Sequence, residues 1–308
     1  MRHRPPGAPE VHRVNSTITA IPGIEVGHWT DPVAQTGCTV VVLPEPNCVT
    51  AEFRGAAPGT REAALLQPGM SVEQAQAIVL TGGSAFGLAS ADGVMTALEA
   101  DGRGHPALMG PVPIVPAAVV YDLHSGDSSI RPGPEQGAAA YHARRGGPVE
   151  QGRVGAGAGT MAAGWRGIEA IRPGGLGSAL VEREGYRVGA LAVVNAIGDV
   201  FTLEGEPLTG GPPVPGLPMR PPRVFEQTTL VVVATDVRLD RLRLQRLAIR
   251  AHDALSVCIR PTHTSHDGDA VFAVSCGPAT VEDADLVAEA AWEAAGRAVE
   301  AAVTAAMG

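Results

Sequence analysis

Short apolar runs recur along this chain, separated by joints rich in glycine and proline. Thr39–Leu43 is a β-branched run stopped by Pro44, and Ala77–Leu80 is a second apolar run. Both predict buried strands, as do Val112–Tyr121 and Leu191–Asn195. Polar and apolar residues recur at helical spacing elsewhere. Ser71–Gln76 predicts a helix start, with Ser71 as N-cap and Gln74 completing a capping box. A helix is expected over about Ala85–Ala100. Arg238–Leu255 sets Leu239, Leu242, Leu247 and Leu255 near helical spacing with arginines opposite, and the Ala-rich Val281–Met307, carrying Leu286, Trp292 and Val299, predicts a long terminal helix. Strands alternate with helices, yet some strands are sequence neighbours, so a layered α/β or α+β domain is expected.

One stretch breaks the alternation. Leu203–Gln227 holds seven prolines and four glycines, a density that precludes a regular helix or interior strand. A loop this long in a compact domain is usually functional or disordered. It ends at Gln227-Thr228-Thr229, where a new apolar run, Leu230-Val231-Val232-Val233-Ala234, begins. Residues 1–16 read as a loose tail, and 17–308 as a single domain.

Composition narrows the function classes. The chain has 308 residues, 45% of them apolar, which is ample for a core, while only 4% are aromatic, so packing relies on small side chains. Its 23 basic and 32 acidic residues give a net charge of −9, which argues against nucleic acid or an anionic membrane as partner. The apolar runs are too short to span a bilayer, and the polar start has no apolar signal segment, so a cytoplasmic location is expected. Cys38, Cys48, Cys258 and Cys276 are scattered with no CxxC pair, a pattern of reduced thiols rather than of zinc or disulfides.

Candidate chemistry gathers at the loop-to-strand junction. Thr228 puts a hydroxyl at the mouth of a buried strand, and Asp267-Gly268-Asp269 puts two carboxylates about one glycine. Cleavage before Thr228 would supply its Oγ with an adjacent base, its own α-amine, whose ordinary pKa of about 7.7–8.0 leaves part of it able to take a proton at neutral pH. The plainer readings are a β-forming threonine and an Asp-Gly turn, and Thr229 is the competing hydroxyl. Asn195 ends an apolar strand, where a neutral amide can donate to a developing oxyanion or simply close a turn. Gly83 and Ser84, at a helix start, can turn backbone N–H groups toward a substrate carbonyl or carboxylate. Gly155–Thr160 lacks the spacing of a nucleotide loop and reads as close packing. His263 and His266 lie beside the acidic pair, but a glycine-containing loop does not make their spacing converge on a metal. No metal or cofactor is expected.

Ten motifs in order carry a resemblance: ITAIPGIEVGHWTD, GCTVVVLPE, RGAAPGTRE, LTGGSAFGLASADGVM, VGAGAGT, GGLGSA, VVNAIGDV, QTTLVVVATD, DRLRLQRLAIRAH and HDGDAVFAV. From about Ile18 to the C-terminal helix, the chain resembles the self-processing aminopeptidases and amidases, which include L-aminopeptidase/D-esterases, β-peptidyl aminopeptidases and nylon-oligomer hydrolases. The resemblance implies an αββα four-layer sandwich, layered like the N-terminal-nucleophile hydrolases with the topology of ornithine acetyltransferase. It implies cleavage at Gln227–Thr228 into an α chain (1–227) and a β chain (228–308), with Thr228 as nucleophile, Asn195 at the oxyanion, and Asp267 and Asp269 orienting the nucleophile and its amine. It also implies a short peptide or amide substrate and a homotetramer. Two positions depart from the pattern. Arg166 stands where nylon-oligomer hydrolases carry a lysine; it can grip a carboxylate such as Asp269 or a substrate acid, but cannot act as a base. Gln227 stands where Asn or Gly is typical. An acyltransferase of the same architecture and an unprocessed, non-catalytic homologue are the alternative functions.

Overall fold

A computed structural model describes residues 15–212 and 226–308. Nearly all of the expected loose tail and the middle of the Pro-rich stretch, 213–225, lie outside the described residues. Two five-stranded sheets form the centre. The first is built from β1 (Glu25–Asp31), β2 (Thr36–Val42), β4 (Thr60–Arg61), β5 (Ala77–Thr81) and β6 (Ala117–Val119), in the order β1-β2-β5-β6-β4. The second holds β3 (Cys48–Phe53), β7 (Gly175–Arg183), β8 (Tyr186–Asn195), β9 (Thr228–Val237) and β10 (Ala270–Ala279), in the order β7-β8-β9-β10-β3. Each sheet has a single parallel pair, β5 with β6 and β9 with β10; every other pairing is antiparallel.

Three apolar layers hold the sandwich together. Helices α1 (Ser90–Ala100) and α2 (Pro134–His142) cover the first sheet through Val94, Leu98, Ala140 and Tyr141 against Val40, Val42 and Val79. The sheets meet through Val41, Ile78 and Leu80 on one side and Leu230, Val232, Ala234 and Phe272 on the other. Helices α3 (Arg241–Cys258) and α4 (Ala284–Met307) cover the second sheet against Val231, Val233, Val271 and Ala273. Strand β9 therefore serves two layers: its even positions face the other sheet and its odd ones the helices, as the period of two in a strand requires. Each fully buried valine or leucine contributes about 1.5–3 kcal/mol, so this strand is held on both faces. The αββα architecture is as expected.

The differences in detail have local causes. No helix forms at Ser71–Gln76, because tertiary partners take the polar groups a helix start needs. The Gln74 side chain accepts from the Asn47 N–H at 3.3 Å, and the Gln76 N–H donates to Ile114 at 3.0 Å. The Val112–Tyr121 run is divided: Gly110–Val112 pairs with His105–Ala107 in a separate hairpin, and β6 starts only after Pro113 and Pro116, neither of which can donate to a ladder. Helix α3 begins at Arg241, capped by Asp240, whose carboxylate accepts from the Arg243 N–H at 2.9 Å. Its buried face is consequently Leu244, Leu247, Ala248, Ala251 and Leu255, and Leu242 is exposed. The alanine face of α4 packs internally against β7, β8 and α3.

Candidate active site

The candidate residues meet where β8 ends and β9 and β10 begin. Asn195 and Thr228 are direct cross-strand partners at the last antiparallel position of β8 and β9. Parallel pairing of Leu230 with Ala270 then brings the 263–269 loop to the same edge. The loop is tied down by the segment that follows β3: the Arg54 N–H donates to the Asp269 carbonyl at 2.8 Å, and the Ala57 N–H to the Asp267 carbonyl at 3.0 Å. Two glycines permit this approach. A Cβ at Gly55, which has φ +86°, would run into the Asp267 carbonyl, and one at Gly268 into the Ala57 carbonyl.

Before the junction, Gln227 pairs with the acidic loop as a short parallel bridge to Asp267. Its N–H donates to the His266 carbonyl at 3.1 Å, and its own carbonyl accepts from the Gly268 N–H at 3.0 Å. The Thr228 hydroxyl donates to that same carbonyl oxygen at 2.6 Å. The peptide bond between Gln227 and Thr228 is thus held by a backbone donor on its oxygen, with the candidate nucleophile beside it.

The two carboxylates differ in surroundings. Asp269 accepts from the Thr229 N–H at 2.6 Å on one oxygen; on the other it accepts from the Thr262 hydroxyl at 3.1 Å, the His263 N–H at 3.3 Å and the His263 ring Nδ1 at 2.7 Å. Asp267 has one side-chain bond of this kind, from the Thr264 N–H at 2.7 Å. Burial, and then the negative charge of Asp269, push its pKa up from 3.8 to about 7. Both carboxylates are buried, but Asp269 is the better hydrogen-bonded of the two.

Asn195 is fully buried. Its Nδ2 donates to the Tyr121 carbonyl at 3.0 Å and its Oδ1 accepts from the Met161 N–H at 3.0 Å, which fixes the amide's orientation and leaves one amide hydrogen uncommitted to these bonds. The Gly155–Thr160 segment packs as expected: added Cβ atoms at Gly155, Gly157 and Gly159 would collide with Thr39, Leu176 and Gln35.

Two expectations are corrected. Gly83 and Ser84 do not present N–H groups to a ligand: Gly83 donates to the buried Asp122 carboxylate at 2.7 Å and Ser84 to the Val120 carbonyl at 3.0 Å. Asp122 also accepts from the Thr36 hydroxyl at 2.7 Å, so this turn is a structural tie beside Tyr121. Arg166 does not grip Asp269. Its guanidinium forks onto fully buried Asp199 with two bonds of 2.8 Å, and Asp199 also accepts from Trp165 Nε1 and the Thr209 hydroxyl, both at 2.7 Å. This ion pair fixes the turn that follows Asn195.

Sequence reasoning considered His263 only as a metal ligand and passed over His252, Asp122, Asp199 and the Gly268 N–H. His263 sits at φ +55°, with its ring on Asp269 and its edge against His252 at 5.0 Å between centroids. Burial pushes His252 down to about 4, and it holds the Glu52 carbonyl at 3.0 Å. The sequence signal for these was histidine beside aspartate; which ring met which carboxylate depended on backbone geometry.

The peptidase family S58 model matches residues 16–308. The chain belongs to peptidase family S58. An uncharacterised aminopeptidase of Mycobacterium leprae (strain TN) is 43% identical, the alignment covering 85% of this chain and 79% of that protein. The 6-aminohexanoate-oligomer endohydrolase of Paenarthrobacter ureafaciens is 29% identical, covering 86% and 75% respectively. The L-aminopeptidase D-Ala-esterase/amidase of Ochrobactrum anthropi, whose structure is described as a variant of the Ntn hydrolase fold, superposes with a TM-score of 0.73 at 23% identity over 94% of this chain and 86% of that one. This S58 member is accordingly a peptidase in class, a hydrolase of peptide or amide bonds. Among the described residues, no helix is long and apolar enough to cross a membrane.

Proposed function

We propose that the chain is a self-processing N-terminal-threonine hydrolase acting on short peptides, amino-acid amides or amide oligomers. The observation that carries this reading is the Gln227–Thr228 peptide: a hydroxyl 2.6 Å from the carbonyl oxygen that also accepts the Gly268 N–H, beside a carboxyl whose pKa lies at about 7. In processing, Thr228 Oγ attacks the Gln227 carbonyl carbon, and the hydroxyl proton is assigned to Asp267, whose backbone pairs with Gln227 and whose raised pKa suits proton exchange near neutrality. The C–N bond breaks, Thr228 nitrogen gains a proton, and the Gln227 acyl group rests as an ester on Oγ. Water then releases the Gln227 carboxylate and restores the hydroxyl.

The products are an α chain of 1–227 and a β chain of 228–308, which remain one domain because β9 and β10 lie inside the second sheet. In the mature enzyme the Thr228 amine takes the Oγ proton, and Oγ attacks a substrate carbonyl. The departing amine is protonated, and water hydrolyses the acyl-enzyme. Asp269, bonded to the adjacent Thr229 N–H, holds the new terminus and favours its protonated form. The remaining Asn195 amide hydrogen is the side-chain donor to the oxyanion. A cytoplasmic homotetramer completes the proposal.

Intact-mass measurement of purified protein tests it. Two fragments are expected, the smaller beginning at Thr228. Amidase activity from a single uncleaved chain would exclude the terminal amine as base.

A further inference from the structure

The ester formed during processing and the acyl-enzyme formed from a substrate share one linkage, an acyl group on Thr228 Oγ. The residue that supplies the acyl group therefore occupies the same place in both. In the uncleaved chain that place is filled by Gln227, so its contacts are an imprint of the acyl subsite. Resting on the Thr228 reading above, we propose that this subsite binds α-aminoacyl groups through main-chain bonds and selects unbranched apolar side chains of about methionine length.

The main-chain half of the argument is geometric. The Gln227 nitrogen donates to the His266 carbonyl at 3.1 Å while its carbonyl accepts from the Gly268 N–H at 3.0 Å. The two bonded groups flank one Cα, as in a parallel bridge. An α-amino acid satisfies both at once. In an ω-amino acid, several methylenes separate nitrogen from carbonyl, and both bonds form only if that chain folds back on itself at an entropic cost. The same Gly268 N–H meets the oxygen on which negative charge develops, so it is an oxyanion donor as well as a binding group.

The side-chain half rests on an unmet need. Gln227 is only 2% exposed, and its Oε1 is buried without a hydrogen-bond partner. A buried acceptor left unpaired is costly, and an apolar group of the same shape removes that cost. Methionine and norleucine reach as far as glutamine and carry no such acceptor. Glutamate would bring a charge into a buried place beside Asp267 and is disfavoured. Gln227 therefore suits a residue that must leave after one reaction better than one that must bind.

The mature two-chain enzyme should be assayed with methionyl, norleucyl, glutaminyl, glutamyl and 6-aminohexanoyl p-nitroanilides. Methionyl and norleucyl compounds should exceed the glutaminyl one by about tenfold in kcat/KM, with glutamyl and 6-aminohexanoyl lower still. Equal or better turnover of the glutaminyl compound overturns the side-chain claim. A 6-aminohexanoyl compound that matches the methionyl one overturns the main-chain claim. If no compound turns over, the Thr228 reading itself fails, and a second measurement then decides the subsite. In the full chain carrying Thr228→Ala, which has no hydroxyl to cleave with, Gln227→Met should raise Tm by about 1–3 °C. A lowered Tm overturns the proposal whatever the activity.

Discussion

Replacing Asp267 with asparagine separates electrostatics from packing at this site. Asp267 is 2% exposed, and burial with the Asp269 charge displaces its pKa from 3.8 to about 7. A raised carboxyl pKa means that the fold favours the protonated form. The resulting stability is complete below about pH 4, where the unfolded chain is protonated as well. It is lost as pH rises through the folded value near 7, because the unfolded carboxylate ionises first. At about 1.4 kcal/mol per pH unit, the displacement caps the effect at about 4 kcal/mol. Asparagine carries no charge to bury or to repel Asp269, so a gain of about 2–4 kcal/mol is expected. Asparagine keeps the size, and its carbonyl oxygen still accepts from the Thr264 N–H. The comparison should be made in the Thr228→Ala background, so that cleavage does not alter the chain, by urea unfolding at pH 4, 6 and 8. Asp267→Asn should match its parent at pH 4 and exceed it by about 2–4 kcal/mol at pH 8. A difference that stays constant with pH, or a mutant less stable at pH 8, would refute the reasoning.

With the hydroxyl restored, Asp267→Asn should slow self-cleavage at neutral pH, read on a denaturing gel over time, and unchanged processing would remove Asp267 from the mechanism. Thr228→Ala should abolish cleavage and hydrolysis. Thr229→Ala should change either rate by less than about threefold, because Asp269 holds its main-chain N–H and not its hydroxyl; a dead Thr229 variant would shift the nucleophile by one residue. His263→Phe keeps a ring against His252 but loses the 2.7 Å bond to Asp269. Processing should slow by about tenfold with circular dichroism unchanged, and a wild-type rate would show that Asp269 needs no such support. Arg166→Lys keeps the charge but not the two-pronged grip on Asp199, so urea unfolding should show a loss of about 1–2 kcal/mol and processing should slow. Full stability in that variant would contradict the fork.

A layered α/β or α+β domain was legible in the sequence because it depends on local periodicity, whereas the αββα order was carried by the family resemblance. The alternation in Leu230–Ala234 has consequences for both neighbouring layers, and a strand buried on two faces reads as a continuous apolar run. The Pro-rich stretch and the apolar run after it marked Thr228 for the same reason, and the motif order carried the family. Polar partnerships were not legible, since a side chain's hydrogen bonds depend on residues far away in the chain. Ser71 and Gln74 satisfy a capping rule, yet Asn47 and Ile114 take the groups nearby and no helix forms. Arg166 carried the right chemistry for a fork, but the partner was set by the turn after Asn195, which presents Asp199. The N–H groups of Gly83 and Ser84 looked available until Asp122 and Val120 were folded against them. Sequence determined which segments must be buried and which residues could react. Only the tertiary structure, by closing β8, β9 and β10 into register and pinning the 263–269 loop with the segment that follows β3, decided which donors and acceptors face one another, because burial acts on each residue singly whereas a hydrogen bond requires two groups to arrive at the same place.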